Sequence, residues 1–271
     1  MASKTSKDGG FVETVKTVVF ALLLAGLIRT LLFQPFWIPS GSMKSTLLIG
    51  DFLFVNKFTY GYSYASCPTM FGTDFCGFAK GSDDRLLGND PVRGDVVVFK
   101  HPVHGADYIK RLVGLPGDRI QVKEGILFIN GTAAPQDPQA PFVETYERQG
   151  PEQGFPRCMN TRPALGGECV KESALETLPN GVVHSVLNLE DGAADNTPEF
   201  LVPEGHYFFM GDNRDNSVDS RFPQRGFSPG VGFVPAENII GRADRIVFSS
   251  AGSALWKFWE WRSDRYFKAI D

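Results

Sequence analysis

Short apolar runs separated by turn residues occupy most of the chain after residue 34, and this pattern predicts β-strands. Gly, Pro, Asn and Asp bound the runs, and no long amphipathic helix lies between them. The predicted strands are Phe52–Val55, Asp95–Phe99, Tyr108–Val113, Arg119–Val122, Ile126–Ile129, His206–Met210 and Asn238–Phe248. Arg119–Val122 and Ile126–Ile129 are close enough to form a hairpin. The fold class predicted is therefore mainly β.

A different pattern fills the N-terminal part of the chain. Thr17–Ile28 contains no charged residue, and after Arg29 the apolar run resumes and continues to Phe33. These 17 residues are at the low end of what a membrane-spanning helix needs. A cationic side chain near one end can reach the headgroups, and Gln34-Pro35 is expected to end the helix.

The surrounding sequence sets the predicted orientation of this segment. Lysines precede it, so the N-terminus is expected to stay in the cytoplasm. A cleaved signal peptide is the alternative, but no small-residue cleavage site follows the apolar core. The predicted organisation is a cytoplasmic tail at 1–10, a transmembrane anchor at 11–33 and an extracytoplasmic domain at 34–271.

Two stretches of that domain, 60–90 and 132–202, have the composition of insertions. The longer one is richer in Pro, Gly, Asp and Glu and is expected to be an insertion or a small second β-rich unit. The four cysteines form two local pairs in these stretches, Cys67 with Cys76 and Cys158 with Cys169. Local pairing favours disulfides in an oxidising compartment over free thiols. The spacing is not the short C-x2-C kind of a zinc site.

The net charge and an aromatic stretch near the C-terminus indicate which kinds of partner the chain can bind. A net charge of -4 gives no basic surface of the kind that binds nucleic acid. The aromatic stretch Ala254–Trp261 carries charges throughout. It is compatible with a position in a membrane interface and equally with packing on the domain.

Three segments carry candidate chemistry, beginning with Pro39–Met43. Its two serines, Ser40 and Ser42, flank a glycine that permits a sharp turn. Such a turn can present a hydroxyl beside backbone N–H groups, as a nucleophile and its oxyanion site require. The motif alone is weak, because similar sequences are common in loops.

Lys110 lies in the predicted strand Tyr108–Val113. A lysine that points into an apolar site is desolvated and its pKa falls, which suits a general base. The alternation of the strand alone does not distinguish that orientation from a solvent-facing one.

The segment Gly211–Arg221 packs three Asp, two Asn, two Arg and two Ser into eleven residues after an apolar strand. This density predicts a buried polar network, in which Ser217 is placed to hydrogen-bond a catalytic amine. A calcium-binding loop formed by Asp212, Asp215 and Asp219 is the alternative, although the spacing is not that of an EF-hand.

These segments together resemble the bacterial type I signal peptidase family. The resemblance lies in Pro39–Met43, Arg93–Phe99, Tyr108–Asp118 and Gly211–Arg221, and in their order after an anchor. It implies an antiparallel β catalytic domain on the outer side of the bacterial cytoplasmic (inner) membrane, held by a single-pass anchor. It also implies removal of signal peptides from secreted preproteins by a Ser/Lys dyad. The implied partners are the preproteins and the lipid bilayer, with no nucleic acid, no metal and no cofactor.

The resemblance assigns roles residue by residue. Ser42 matches the nucleophile and Lys110 the general base. Ser40 matches the serine whose hydroxyl helps to hold the oxyanion, and Ser217 the serine that orients the lysine. The residues that match the supporting network are Asp212, Arg111, Asp219 and Arg221. The residues expected to pair with the substrate as a strand are Asp107, Tyr108, Ile109 and Lys110.

One position departs from the family pattern. The family usually has Met-x-Pro-Thr after the nucleophile, whereas this chain has Met43-Lys44-Ser45-Thr46. The missing proline leaves the rigidity of the turn behind Ser42 open.

Two other functions are compatible with parts of the sequence. A penicillin-recognising enzyme also uses Ser and Lys, but three residues apart on one helix, whereas Ser42 and Lys110 are 68 residues apart. An anchored β scaffold without catalysis has no need of the dense polar segment. The sequence therefore favours the Ser/Lys peptidase.

Overall fold

The structure is a computed structural model that describes residues 8–67, 69–70, 73–74, 81, 85, 87–150, 152–161, 163–224, 230–251 and 257–270. Within these ranges one α-helix, α1 (Asp8–Leu31), precedes sixteen strands. The strands are β1 (Phe33–Trp37), β2 (Asp51–Asn56), β3 (Thr69–Met70), β4 (Thr73–Asp74), β5 (Val96–Lys100), β6 (Asp107–Gly114), β7 (Arg119–Lys123), β8 (Ile126–Ile129), β9 (Thr132–Ala133), β10 (Gln136–Thr145), β11 (Glu168–Thr177), β12 (Val183–Asn188), β13 (Phe200–Leu201), β14 (His206–Met210), β15 (Val234–Pro235) and β16 (Ile239–Ser249).

The central sheet has seven strands in the order β1-β2-β16-β5-β6-β14-β15. Each paired neighbour in it is antiparallel. Strand β5 is buried on both faces, because Val96 and Val98 enter one core cluster while Val97 and Phe99 enter another. Alternate residues of a strand point to opposite faces, so an uninterrupted apolar run is what such a central strand requires. The predicted fold class, mainly β, is confirmed, and the pairing is antiparallel.

The N-terminal segment differs from the sequence prediction at both ends. Helix α1 begins at Asp8 and ends at Leu31, and Phe33 already belongs to β1. Strand β1 pairs with β2 at the edge of the sheet. Pro35 is tolerated there because an edge strand can lack one backbone N–H without the loss of a hydrogen bond between central strands. In the part of the chain that the structure describes, no helix meets the length and hydropathy expected of a membrane span.

The stretch 132–202 contributes to two smaller sheets. Strands β9 and β13 flank the β7–β8 hairpin in a four-stranded sheet. Strands β10, β11 and β12 form a separate antiparallel unit, called the three-stranded sheet below. Much of the stretch 60–90 lies outside the described residues, and its described part includes the two-residue strands β3 and β4.

Covalent links are present in both cysteine-bearing stretches. Cys158 and Cys169 form a disulfide with their Cα atoms 5.1 Å apart, as predicted. Cys67 is also disulfide-bonded. Its predicted partner, Cys76, lies outside the described residues.

The described part of the C-terminal tail packs largely on the domain. The Trp261 ring meets Phe248 edge to face at 4.9 Å, and Arg265 is buried. Phe258 and Trp259 remain more than 60% exposed. Residues 252–256, which include part of the predicted aromatic stretch, lie outside the described residues.

Candidate active site

Ser42 lies near the start of a tight turn between β1 and β2, called the serine turn below (residues 40–47). Met43 and Leu47 are fully buried in the core, and the Leu47 N–H donates to the Met43 carbonyl at 2.8 Å. The Lys44 N–H donates to the Gly41 carbonyl at 3.2 Å. The two apolar side chains thus fix the turn to the sheet and leave Ser42 at its start.

Lys110 reaches Ser42 from strand β6. Its Nζ donates to Ser42 Oγ at 2.8 Å and to the Ile109 carbonyl at 2.9 Å. Ser42 is 8% exposed and Lys110 is 4% exposed. Burial lowers the pKa of Lys110 to about 8, although the carboxylates of Asp219 and Asp212 act in the opposite direction. A neutral amine is therefore accessible near physiological pH, in contact with the hydroxyl that it would deprotonate.

Strand β6 has a partly free edge beside this pair. Its full pairing with β5 runs from Asp107 to Arg111 on one side. On the other side, β14 pairs only with residues between Arg111 and Gly114 among those described. The backbone of Asp107–Lys110 is consequently available on that side for another strand.

A deeply buried ion pair of the site joins Arg111 to Asp212. The guanidinium is fully buried and donates to both carboxylate oxygens, at 2.9 and 2.8 Å. Arg111 also donates to the Gly94 carbonyl at 2.7 Å. Burial alone would raise the pKa of Asp212, but Arg111 holds it below the usual value. This bidentate pair ties β6 to the segment that follows β14.

A second buried pair, Asp219 with Arg221, braces the other end of that segment. Arg221 donates to both Asp219 oxygens at 2.9 Å, and the Gly211 N–H donates to the same carboxylate at 3.0 Å. Burial would raise the pKa of Asp219, whereas Arg221 keeps it low. Both ends of Gly211–Arg221 are thereby held by charge-assisted hydrogen bonds.

The same segment holds the backbone of the serine turn. The Asn213 N–H donates to the Ser42 carbonyl at 3.1 Å, and the Asn213 side chain donates to the Gly41 carbonyl at 2.9 Å. A Cβ on Gly211 would lie 2.7 Å from the Ser42 carbonyl oxygen and 2.2 Å from Ser217 Oγ. Glycine is therefore required for this close approach.

Ser217 lacks the contact expected of it, whereas the oxyanion role expected of Ser40 stays a prediction. Ser217 is buried beside Gly211, but its Oγ makes no hydrogen bond within the described residues. The expected bond from Lys110 to Ser217 is not formed; the Ile109 carbonyl accepts from the amine instead. Ser40 lies in an exposed bend two residues before Ser42.

The three aspartates of the alternative calcium loop have separate partners. Asp212 and Asp219 are each bound by an arginine, and Asp215 accepts from the Leu189 backbone N–H at 2.7 Å. These carboxylates serve to hold different elements together. The arrangement supports the polar network over the calcium loop.

Sequence reasoning missed a buried group that extends this network into the three-stranded sheet. Glu176 accepts from Arg214 at 2.9 and 2.5 Å. His184 lies 3.3 Å from Glu176 and 3.5 Å from Asp212. Burial would raise the pKa of Glu176, but Arg214 and His184 keep it below its ordinary value. No local signal identifies these residues, because Glu176 and Arg214 are 38 positions apart.

The lysine nearest Ser42 in sequence faces elsewhere. The Nζ of Lys44 binds Glu144 and Gln149, at 2.5 and 2.7 Å. The pairing of a serine with a lysine on one helix, as in penicillin-recognising enzymes, is therefore not the arrangement found here.

A buried lysine amine in contact with a serine hydroxyl is the arrangement of a serine hydrolase that uses a lysine as its base. Comparison with known proteins assigns the chain further. The sequence profile of the family described as "Signal peptidase, peptidase S26" matches residues 11–248, and the chain belongs to this family. Signal peptidase I of Rickettsia canadensis is 38% identical over 256 residues, covering 92% of this chain and 84% of the relative. Signal peptidase I of Rickettsia typhi is 38% identical over 251 residues, covering 88% and 82%.

Among solved structures, a signal peptidase I from Enterococcus faecalis matches with 26% identity and a TM-score of 0.30. The match covers 57% of this chain and 97% of that one. The family and the curated relatives make the chain a serine peptidase that removes signal peptides. The predicted family and enzyme class are confirmed.

Proposed function

We propose that Ser42 is the nucleophile and Lys110 the general base with which this chain cleaves signal peptides from exported preproteins. The observation that carries the proposal is the 2.8 Å contact between Lys110 Nζ and Ser42 Oγ. The amine is buried, and no carboxylate of the described residues lies within hydrogen-bond distance of it, so it can lose its proton at a moderate pH.

The reaction follows from this contact. Neutral Lys110 takes the hydroxyl proton as Ser42 Oγ attacks the scissile carbonyl. The Ser42 N–H and the Ser40 hydroxyl stabilise the oxyanion. The lysine ammonium then protonates the leaving amine, and the neutral amine afterwards activates the water that releases the acyl-enzyme.

The partly free edge of β6 supports binding of the substrate as an added β-strand. An extended peptide can pair with the backbone of Asp107–Lys110, where β14 does not. Pairing at this edge ends beside Lys110, so the scissile bond lies next to the dyad. Backbone pairing accepts many side chains, as the cleavage of different preproteins requires.

The test is cleavage of a purified preprotein by the variants Ser42→Ala and Lys110→Ala. Each is expected to bind the preprotein and leave it uncut. Lys123→Ala is the control, because Lys123 is an exposed lysine on β7, outside the substrate-pairing edge, and its removal should leave cleavage unchanged. Full activity of Lys110→Ala would remove the lysine from the mechanism.

We also infer that the chain is held at the bacterial inner membrane with its N-terminus inside. Every residue of α1 from 10 to 26 is exposed, and Phe11, Phe20, Leu22 and Leu23 are 67–74% exposed. Phe33, Trp37 and Phe54 continue this apolar surface onto the β1–β2 edge. Apolar surface of this extent favours contact with lipid over water.

Cell fractionation of the full chain tests the location. The chain is expected in the membrane fraction after alkaline washing, and protease added outside spheroplasts is expected to digest the β domain. Recovery in the alkaline supernatant would contradict the anchor. Protection from external protease would contradict the orientation.

A further inference from the structure

The three residues after Met43 each bind a different part of the molecule. Lys44 binds Glu144 on β10, Ser45 Oγ lies 2.8 Å from Ser185 Oγ on β12, and Thr46 donates to Asp212. The family pattern has a proline at the position of Ser45. In this chain, polar side-chain contacts occupy the segment that a proline would stiffen.

The contact of Lys44 joins two charged groups. Lys44 is 4% exposed, and its Nζ lies 2.5 Å from Glu144 Oε2 and 2.7 Å from Gln149 Oε1. The Gln149 side-chain amide donates to the same Glu144 oxygen at 2.9 Å. Lys171, also buried, binds the other Glu144 oxygen.

The stem of Lys44 packs beneath the residue that separates the two active-site serines. A Cβ on Gly41 would lie 3.3 Å from Lys44 Cε and 3.4 Å from Lys44 Cδ. The aliphatic chain therefore supports the backbone from Ser40 to Ser42, while the ammonium is fixed by the three-stranded sheet. Movement of the ammonium would be transmitted to the turn through this stem.

Within this cluster, the opposite charges offset the effect of burial on the pKa of each group. Burial lowers the pKa of Lys44, and Glu144 opposes that effect. Burial would raise the pKa of Glu144, but the two lysines hold it low. Desolvation offsets much of the attraction in a buried ion pair, whereas removal of one partner leaves an uncompensated buried charge.

We propose that Lys44 is a positioning residue: its ion pair with Glu144 fixes the serine turn against the three-stranded sheet and so holds Ser42 Oγ against Lys110. The sheet lies within the stretch expected to be an insertion, and this contact gives it a role in catalysis. The inference rests on Ser42 being the nucleophile. A displacement of about 1 Å at a reacting atom can reduce the rate by roughly a hundredfold, so a modest shift of the turn is measurable.

The test compares Lys44→Met with Lys171→Met in cleavage of a preprotein. Lys44→Met keeps the aliphatic stem and removes the ammonium, and kcat is expected to fall about tenfold or more with KM within about twofold. Lys44→Arg restores a donor to Glu144 and should recover a large part of the loss. Lys171→Met removes the other lysine from the same carboxylate without touching the turn, and kcat should stay within about twofold of wild type.

A second variant keeps the test decisive if Lys44→Met folds poorly. Glu144→Gln should lower kcat in the same way, and Lys44→Met combined with Glu144→Gln should lose no more than the stronger single variant. Equal loss of kcat in Lys44→Met and Lys171→Met would overturn the inference, as would a change in KM alone. Ser42→Ala is measured in parallel. Full cleavage by this variant would contradict Ser42 as the nucleophile, which is a separate outcome from a failure of Lys44 as a positioning residue.

Discussion

At the residue scale, the proposed role of Lys110 predicts how activity depends on pH. As the proposed base for Ser42, Lys110 must be neutral to accept the hydroxyl proton, and burial lowers its pKa to about 8. Below that pH the amine is protonated, so kcat/KM is expected to rise about tenfold per pH unit up to about 8 and then level off. The measurement is kcat/KM for a preprotein between pH 6 and 10. Lys123→Ala should keep the same profile, and a rise continuing to the ordinary lysine range would contradict the role of burial.

The residues of the site differ in how far the sequence predicted them. Ser42 and Lys110 were identified through their motifs, yet alternation along β6 did not reveal that Lys110 is buried, since burial depends on the turn 68 residues away. Lys44 and Glu144 were missed for the same reason, being 100 positions apart with no motif between them. The hydrogen bond expected between Ser217 and Lys110 is not formed; among the described residues the amine binds Ser42 and the Ile109 carbonyl.

At the element scale, strands with a clear apolar pattern were predicted and strands without one were not. The predicted strand Asp95–Phe99 matches β5 (Val96–Lys100) to within one residue at each end, and Val96–Phe99 is the uninterrupted apolar run that a strand buried on both faces requires. Strand β10 was not identified individually, because most of its residues are exposed and Pro138 and Pro141 interrupt it. Strand β1 was not predicted, and its first residue, Phe33, was assigned to the anchor because the apolar run of the helix continues directly into the strand.

The disulfide at the three-stranded sheet is expected to contribute to the free energy of unfolding. The Cys158–Cys169 disulfide closes a loop with a sequence separation of 11 and joins it to β11. A loop of this length is expected to contribute roughly 2 to 3 kcal/mol through the entropy of the unfolded chain. Replacing both cysteines by alanine should lower the free energy of unfolding by that amount, measured by urea denaturation under oxidising conditions. An unchanged denaturation midpoint would show that packing alone holds the loop.

At the scale of the whole molecule, the tail beyond the family match returns to the active site. The family profile ends at residue 248. Arg265, 17 positions later, donates to the Thr46 carbonyl of the serine turn at 2.9 Å and binds both oxygens of the fully buried Asp51, at 3.1 and 2.6 Å. The serine turn is consequently held from three directions: by the three-stranded sheet, by the Gly211–Arg221 segment and by the C-terminal tail.

Variants of two arginines, Arg265 and Arg245, can separate support of the serine turn by the tail from the general effect of removing an arginine. Arg265→Ala leaves Asp51 buried without its main partner, and such a loss costs about 3 to 5 kcal/mol when a buried pair is broken. Arg245 donates to the Phe267 carbonyl at 3.1 Å from an exposed position, so Arg245→Ala should cost less than about 1 kcal/mol. Urea denaturation measures both, and cleavage assayed well below the denaturation midpoint should show reduced kcat for Arg265→Ala alone. Equal losses in the two variants would mean that the tail stabilises the surface without supporting the serine turn, whereas the buried bonds of Arg265 to Asp51 and Thr46 predict a clear difference.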